Sequence, residues 1–127
     1  MPQLRKQRPV FFNLIRIQLP VGALTSIAHR ISGVLLALGI PFCVYVLDLS
    51  LQGPSGYSHA AALLAYLPVK GAVILLTWAL AHHVLAGVRH LLSDIDVGSQ
   101  LPTSRRSAWI ANIGGVVVAL LVAGTLL

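Results

Sequence analysis

Charged side chains are scarce in this sequence, and that scarcity excludes an ordinary soluble domain. Only 9% of the 127 residues are charged and three are acidic, whereas 57% are hydrophobic. Soluble domains usually carry about 25% charged residues. Because so short and apolar a chain cannot bury its hydrophobic surface by folding alone, we expect lipid to be the solvent for much of it. Cysteine is scarce too: Cys43 is alone, lies in an apolar segment and permits no intramolecular disulfide.

The excess of basic over acidic residues, a formal net charge of +6, does not indicate a nucleic-acid partner. The basic side chains cluster at the ends of apolar runs, where they would hold the chain in register with lipid headgroups. We therefore expect a lipid bilayer, and no nucleic acid, as a partner of this chain.

Three long apolar runs dominate the sequence, at approximately residues 22–51, 63–92 and 108–127. Crossing the hydrocarbon core as a helix takes about 20 apolar residues, and helices and closed barrels are the structures that can span it. The runs are continuously apolar, without the alternation typical of a barrel strand. The sequence therefore predicts an all-α integral membrane protein in which residues 1–127 form one domain with three transmembrane helices.

The segments outside these runs are polar, rich in turn-forming residues or amphipathic. The stretch "LQGPSGYSH" (Leu51–His59) predicts a turn-rich connector. The stretch "SDIDVGSQLPTSRRS" (Ser93–Ser107) predicts a polar loop with Pro102 just before the third helix. Ahead of the first run, "VFFNLIRIQLP" (Val10–Pro20) places apolar residues on one face. That pattern predicts a short interfacial segment lying on the membrane.

Basic residues are distributed unequally between the two sides of the predicted membrane. They precede the first helix and flank the loop between the second and third helices, whereas the loop between the first and second has none. These residues are Arg5, Lys6, Arg8 and Arg16, followed by Arg89, Arg105 and Arg106. The positive-inside rule therefore predicts a cytoplasmic N-terminus. Lys70 is the exception, near the far end of the second helix, where its long side chain can reach water.

The second run contains "HHVLAGVRHLLSD", in which His83, Gly87, His90 and Asp94 fall on one continuous helix face. His83 would lie about 9 Å from Arg89 along the helix axis, inside the hydrocarbon. Ionisable groups at such depth are rare and mostly functional. Imidazole is a common axial ligand of haem iron, and Gly87 would leave clearance for a flat haem.

The second run also permits a purely structural interpretation. His83 and the neighbouring His82 would then only form hydrogen bonds between helices, as intramembrane histidines can. The spacing of the residues does not distinguish the two interpretations. This chain offers no obvious second haem ligand on another helix, so a six-coordinate haem would need one from a partner.

The first run opens on "SIAHRISG", which places Ser26, His29 and Arg30 near the membrane edge. Ser26 and Arg30 are four residues apart and share a helix face. A hydroxyl and a guanidinium together can bind a carbonyl oxygen or a carboxylate. The alternative is that Arg30 merely extends to the headgroups.

The combination of "KQRPVFFNL", "SIAHRISGVLL" and "HHVLAGVRHLLSD", in this order, resembles the cytochrome b556 membrane-anchor subunits of succinate dehydrogenase, respiratory complex II. The resemblance implies that His83 is an axial ligand of haem b, with the other ligand from a second small anchor subunit. It implies that Ser26 and Arg30 line a ubiquinone pocket shared with that subunit and the iron–sulfur subunit. It also implies that His29 and Arg30 lie close to the haem propionates.

The reaction implied by the resemblance belongs to a whole complex. Succinate would be oxidised at a flavin in a flavoprotein subunit, electrons would pass through iron–sulfur clusters, and ubiquinone would be reduced at the membrane. The resemblance, together with the lack of a long targeting extension, favours a bacterial cytoplasmic (inner) membrane over a mitochondrial inner membrane.

Three other functions remain open from the sequence alone. One is a haem-free structural anchor, in which His83 packs between helices. Another is a small oligomeric transporter, disfavoured because the polar residues crowd one membrane edge and no pair of broken helices is evident. The third is the quinol-oxidising direction, as in fumarate reductases.

Overall fold

The computed structural model describes Asn13 and residues 16–127, and in this part of the chain all regular structure is helical. The four α-helices are α1 (Val21–Leu51), α2 (Pro54–Ala65), α3 (Leu67–Asp94) and α4 (Leu101–Leu126). The predicted all-α class is thereby confirmed. Residues 10–12, 14 and 15 of the predicted interfacial segment lie outside the described residues, as do the basic residues Arg5, Lys6 and Arg8, so the interfacial placement remains a prediction.

Helices α1, α3 and α4 are each long and apolar enough to cross a membrane. They contain 31, 28 and 26 residues, which correspond to lengths of about 39–47 Å at 1.5 Å per residue. The hydrocarbon core is about 30 Å thick, so both ends of each helix would extend into the headgroup region. The prediction of three membrane-crossing helices agrees with this architecture.

The connector expected at Leu51–His59 is instead mostly helical, because α2 begins at Pro54. Gly53 makes the turn with φ of +93°, a conformation that favours glycine. Helix α2 then packs closely on α1: a side chain at Gly56 would collide with the backbone carbonyl of Leu49. The extended backbone of Tyr66 separates α2 from α3.

Two helix starts also differ from the sequence-based bounds. Helix α3 begins at Leu67 rather than near residue 63, and α4 begins at Leu101 rather than at residue 108. Pro102 therefore lies within the first turn of α4 and not before the helix. Proline is tolerated there because the backbone N–H groups of the first turn have no intrahelical partner.

Small residues fill the interior of the helix bundle, and large apolar residues face outwards. Among the described residues, the buried apolar side chains are all alanines: Ala60, Ala79, Ala86, Ala108 and Ala111. Leucines and isoleucines such as Leu38 and Ile113 are exposed. Small interfacial residues let helix backbones approach closely, which is the packing expected where lipid covers the outside.

We expect Gly115→Val to destabilise the contact between α3 and α4. A Cβ atom at Gly115 would lie 3.0 Å from the Cβ and 3.3 Å from the Cα of His82, so the helices would have to separate. Overpacking of this kind costs about 1–3 kcal/mol. Thermal unfolding of the detergent-purified protein should show a lower midpoint. The matched control is Gly124→Val on the same helix, where a Cβ atom has no neighbour within 4 Å in the described part of the chain. Equal midpoints for the two variants would contradict the expectation.

Candidate functional site

The imidazole of His83, on α3, is held by two oxygen atoms of α1. Its Nδ1 lies 3.1 Å from the backbone carbonyl oxygen of His29 and 3.1 Å from Oγ of Ser32. A carbonyl oxygen can only accept a hydrogen bond, so Nδ1 carries the proton and donates it. In the neutral imidazole, Nε2 of His83 is then the unprotonated ring nitrogen, with a free lone pair.

The Nε2 atom of His83 is open to a ligand from outside the chain. It makes no hydrogen bond with a described residue. It is also not a buried atom, because the one buried side-chain polar atom without a partner among the described residues is Nδ1 of His82. An exposed lone pair on an imidazole whose other nitrogen donates to a carbonyl is the usual state of a metal-ligating histidine. The part of the chain that is described has no group of three or more potential metal ligands. Any metal at His83 therefore needs ligands from elsewhere.

The ring of His29 packs between helices α1 and α3. It stacks on the ring of His83, with centroids 4.1 Å apart and an interplanar angle of 13°. The tilted ring of His90 lies on it as well, with centroids 5.2 Å apart. A Cβ atom at Gly87 would lie 3.4 Å from Nε2 of His29. The clearance at Gly87 is thus taken up by an imidazole within this chain, and the predicted packing of Gly87 against haem remains a prediction.

Ser26 and Arg30 present free polar groups at the start of α1. Ser26 is half-buried and Arg30 is exposed. Neither side chain forms a hydrogen bond or an ion pair with another described residue, which leaves the hydroxyl and the guanidinium available to a ligand. A joint role of His29 and Arg30 at the haem propionates also remains a prediction.

A second polar cluster surrounds His82. This residue is 1% exposed, and its Nε2 lies 2.9 Å from Oδ1 of Asn112 on α4. The hydroxyl of Thr25 on α1 lies 3.1 Å from the same Oδ1 and 2.9 Å from the carbonyl oxygen of Val21. The interhelical hydrogen bonding considered for both histidines is thus the observed environment of His82. The sequence signal for this cluster was Asn112, a single polar side chain in an apolar stretch of α4.

Two basic side chains of α3 hold opposite ends of α4. Near one end, Nη2 of Arg89 donates to Oγ of Ser104 at 2.9 Å and Nε donates to Oγ of Ser107 at 3.1 Å. Near the other end, Nζ of Lys70 donates to the carbonyl oxygen of Leu126. A cation is favourable there because the C-terminus of a helix carries partial negative charge. These bonds fix α4 alongside the helix that carries His82 and His83.

Comparison with known proteins assigns the chain to a family. The family model described as the succinate dehydrogenase/fumarate reductase transmembrane subunit matches residues 4–123. The chain belongs to this family. The match covers α1, α2 and α3 completely and most of α4, so membership does not rest on a single motif.

Several relatives in this family are named as succinate dehydrogenase cytochrome b556 subunits. The Coxiella burnetii protein is 32% identical over 122 residues, covering 95% of this chain and 97% of its own length. The Paracoccus denitrificans protein is 32% identical over 121 residues, covering 92% of this chain and 90% of its own length. The Rickettsia felis protein is 23% identical over 119 residues, again over more than nine tenths of both chains. The resemblance stated from the sequence motifs is confirmed.

Proposed function

We propose that this chain is the large membrane-anchor subunit of a succinate:quinone oxidoreductase, contributing one axial ligand to haem b and part of the ubiquinone-reduction site. The observation that carries the proposal is the state of His83. Its Nδ1–H donates to the His29 carbonyl, and its Nε2 is left free for a ligand. The family membership supplies the complex in which such a ligand would be used.

The residues of this chain fit one half of a haem site. His83 would bind the iron through Nε2, and the second axial ligand would come from the second small anchor subunit. The Arg30 guanidinium would pair with the propionates and the His29 imidazole would donate a hydrogen bond to them, since charge-assisted hydrogen bonds to carboxylates are the strong ones. When bound, haem b supplies a one-electron redox centre. The protein's part would be to hold the ring of His83 in place, and the His29 carbonyl oxygen accepts a hydrogen bond from its Nδ1.

Quinone binding would use the two free groups at the start of α1. The Ser26 hydroxyl would donate a hydrogen bond to a quinone carbonyl oxygen. The Arg30 guanidinium would stabilise the negative charge that develops on the quinone as it is reduced, an electrostatic contribution. Neither group has to break a bond to another described residue first.

The partners and location follow from the same proposal. A flavoprotein subunit and an iron–sulfur subunit would deliver electrons from succinate, and a second small anchor subunit would complete the membrane domain. The chain would be a multi-pass protein of the bacterial cytoplasmic membrane with its N-terminus in the cytoplasm. The Ser26–Arg30 end of α1 would then face the soluble subunits.

The test is a spectrum of the assembled complex. We expect the detergent-purified complex to show a b-type α-band in the dithionite-reduced minus oxidised difference spectrum, and to couple succinate oxidation to ubiquinone reduction. A complex that assembles with all its subunits and shows no such band would reduce this chain to a haem-free structural anchor. Quinol-driven fumarate reduction that is much faster than the forward reaction would reverse the proposed direction.

A further inference from the structure

Ser32 is a buried polar residue that binds neither haem nor quinone in the proposed function. Its side chain is 0% exposed although it lies on a helix that is apolar enough to cross a membrane. Its Oγ is 2.7 Å from the carbonyl oxygen of His29 and 3.1 Å from Nδ1 of His83. It therefore lies where α1 meets the imidazole of α3.

The hydrogen bonds of the Ser32 hydroxyl can be assigned a direction. Its hydroxyl has one hydrogen, which it donates to the carbonyl oxygen of His29. The lone pairs of Oγ then face the Nδ1–H group of His83 and can accept from it. Nδ1–H is thus shared between two oxygens, and one of them, Oγ, is itself polarised by donating. In such a series of linked hydrogen bonds, each bond polarises the next and thereby strengthens it.

Ser50, on the same helix, shows that a serine hydroxyl can bond to the carbonyl oxygen three residues earlier without a histidine as a second partner. Its Oγ donates to the carbonyl oxygen of Leu47, also at 2.7 Å and also three residues earlier. That bond is exposed, and in the described part of the chain Ser50 forms no hydrogen bond with a histidine. The feature particular to Ser32 is therefore its contact with His83 across the helix interface.

The ring of His83 is confined on more than one side. Gly33 packs so closely against the ring that an added Cβ atom there would lie 3.1 Å from Cε1 of His83. The ring of His29 stacks on its face. Rotation of an imidazole about its χ2 angle is otherwise soft. The hydrogen bond to Ser32 opposes this rotation and keeps Nδ1 directed at α1.

We propose that Ser32 is a positioning residue for His83: together with the His29 carbonyl it holds the Nδ1–H tautomer and the ring rotation that direct Nε2 at the haem iron. The inference rests on the proposed function. A hydrogen bond accepted from Nδ1–H raises the basicity of a ligating imidazole, and a more basic ligand stabilises the oxidised iron. Loss of the Ser32 hydroxyl leaves one acceptor, the His29 carbonyl, and a weaker constraint on the ring.

The experiment compares Ser32→Ala with Ser50→Ala, each in the assembled, detergent-purified complex. We expect Ser32→Ala to retain dye-linked succinate oxidation and to titrate at a more positive haem midpoint potential. Transfer of haem to apomyoglobin should show haem affinity lowered roughly 10–100-fold. Ser50→Ala should match the wild type in both measurements, because it removes the same bond within the helix without touching His83.

Three outcomes would overturn the inference, and they are distinguishable. A wild-type complex without a b-type band overturns the proposed function together with this inference. A haem-containing Ser32→Ala complex with wild-type potential and wild-type haem transfer overturns this inference alone. Equal shifts in Ser32→Ala and Ser50→Ala would assign the effect to α1 as a whole and not to the contact with His83.

Discussion

A complex carrying His83→Ala is expected to lose its b-type α-band while still assembling. Alanine has no ring nitrogen, so the iron loses the axial ligand that this chain would supply. The neighbouring His82 cannot replace it, because its imidazole is buried against Asn112. We expect the haem content of the purified complex, measured by the pyridine haemochrome method, to fall to a small fraction of the wild-type value.

The matched control for this variant is His82→Gln. The two histidines are adjacent on α3, but His82 faces α4 whereas His83 faces α1. Glutamine can still donate to Oδ1 of Asn112, so the complex should keep its haem. Retention of haem in His83→Ala together with loss in His82→Gln would exchange the roles of the two residues.

Arg30→Ala is expected to lower succinate-dependent ubiquinone reduction by roughly 100-fold, the loss typical of removing a group that stabilises developing charge. Ser26→Ala should lower it about fivefold, because one net hydrogen bond contributes about 1 kcal/mol. Succinate oxidation with an artificial dye acceptor should stay at the wild-type rate, since that reaction does not use the quinone pocket. Parallel assays with ubiquinone and with dye measure the two effects.

Arg105→Ala is the matched control for the quinone variants. Arg105 is also exposed and lies near the start of a helix, α4. General loss of positive charge would affect both arginine variants, whereas a local role at the quinone affects only Arg30. Wild-type ubiquinone kinetics in both Ser26→Ala and Arg30→Ala would remove these residues from the quinone site.

The three long helices were predictable because each apolar run is at least as long as the roughly 20 residues needed to cross a membrane as a helix. Helix α2 was not predictable, because its first residues, Pro54 to Ser58, have the composition of a turn. It is helical because Gly56 and Ala60 are small enough to pack closely and are buried. This stabilisation depends on tertiary contact, which a local sequence pattern does not contain.

The candidate site was predictable in its residue types and only partly in its arrangement. Periodicity placed His83, Gly87 and His90 on one face of α3, but it could not say which helix lies opposite that face. The structure supplies that helix, α1, and places His29 between His83 and His90. The contrast between His82 and His83 also required α4, because only the position of Asn112 identifies His82 as the histidine that joins two helices.

The alanine-lined interior has a consequence for how this protein tolerates mutation. In a soluble domain the severe losses come from trimming large core side chains. Here the packed positions are already minimal, as at Ala79 and Ala86, and the bulky residues such as Leu38 and Leu121 face outwards. A saturation scan should therefore show the opposite pattern. Adding a few methyl groups at an inward alanine would destabilise the helix bundle, whereas an outward leucine would accept most apolar replacements.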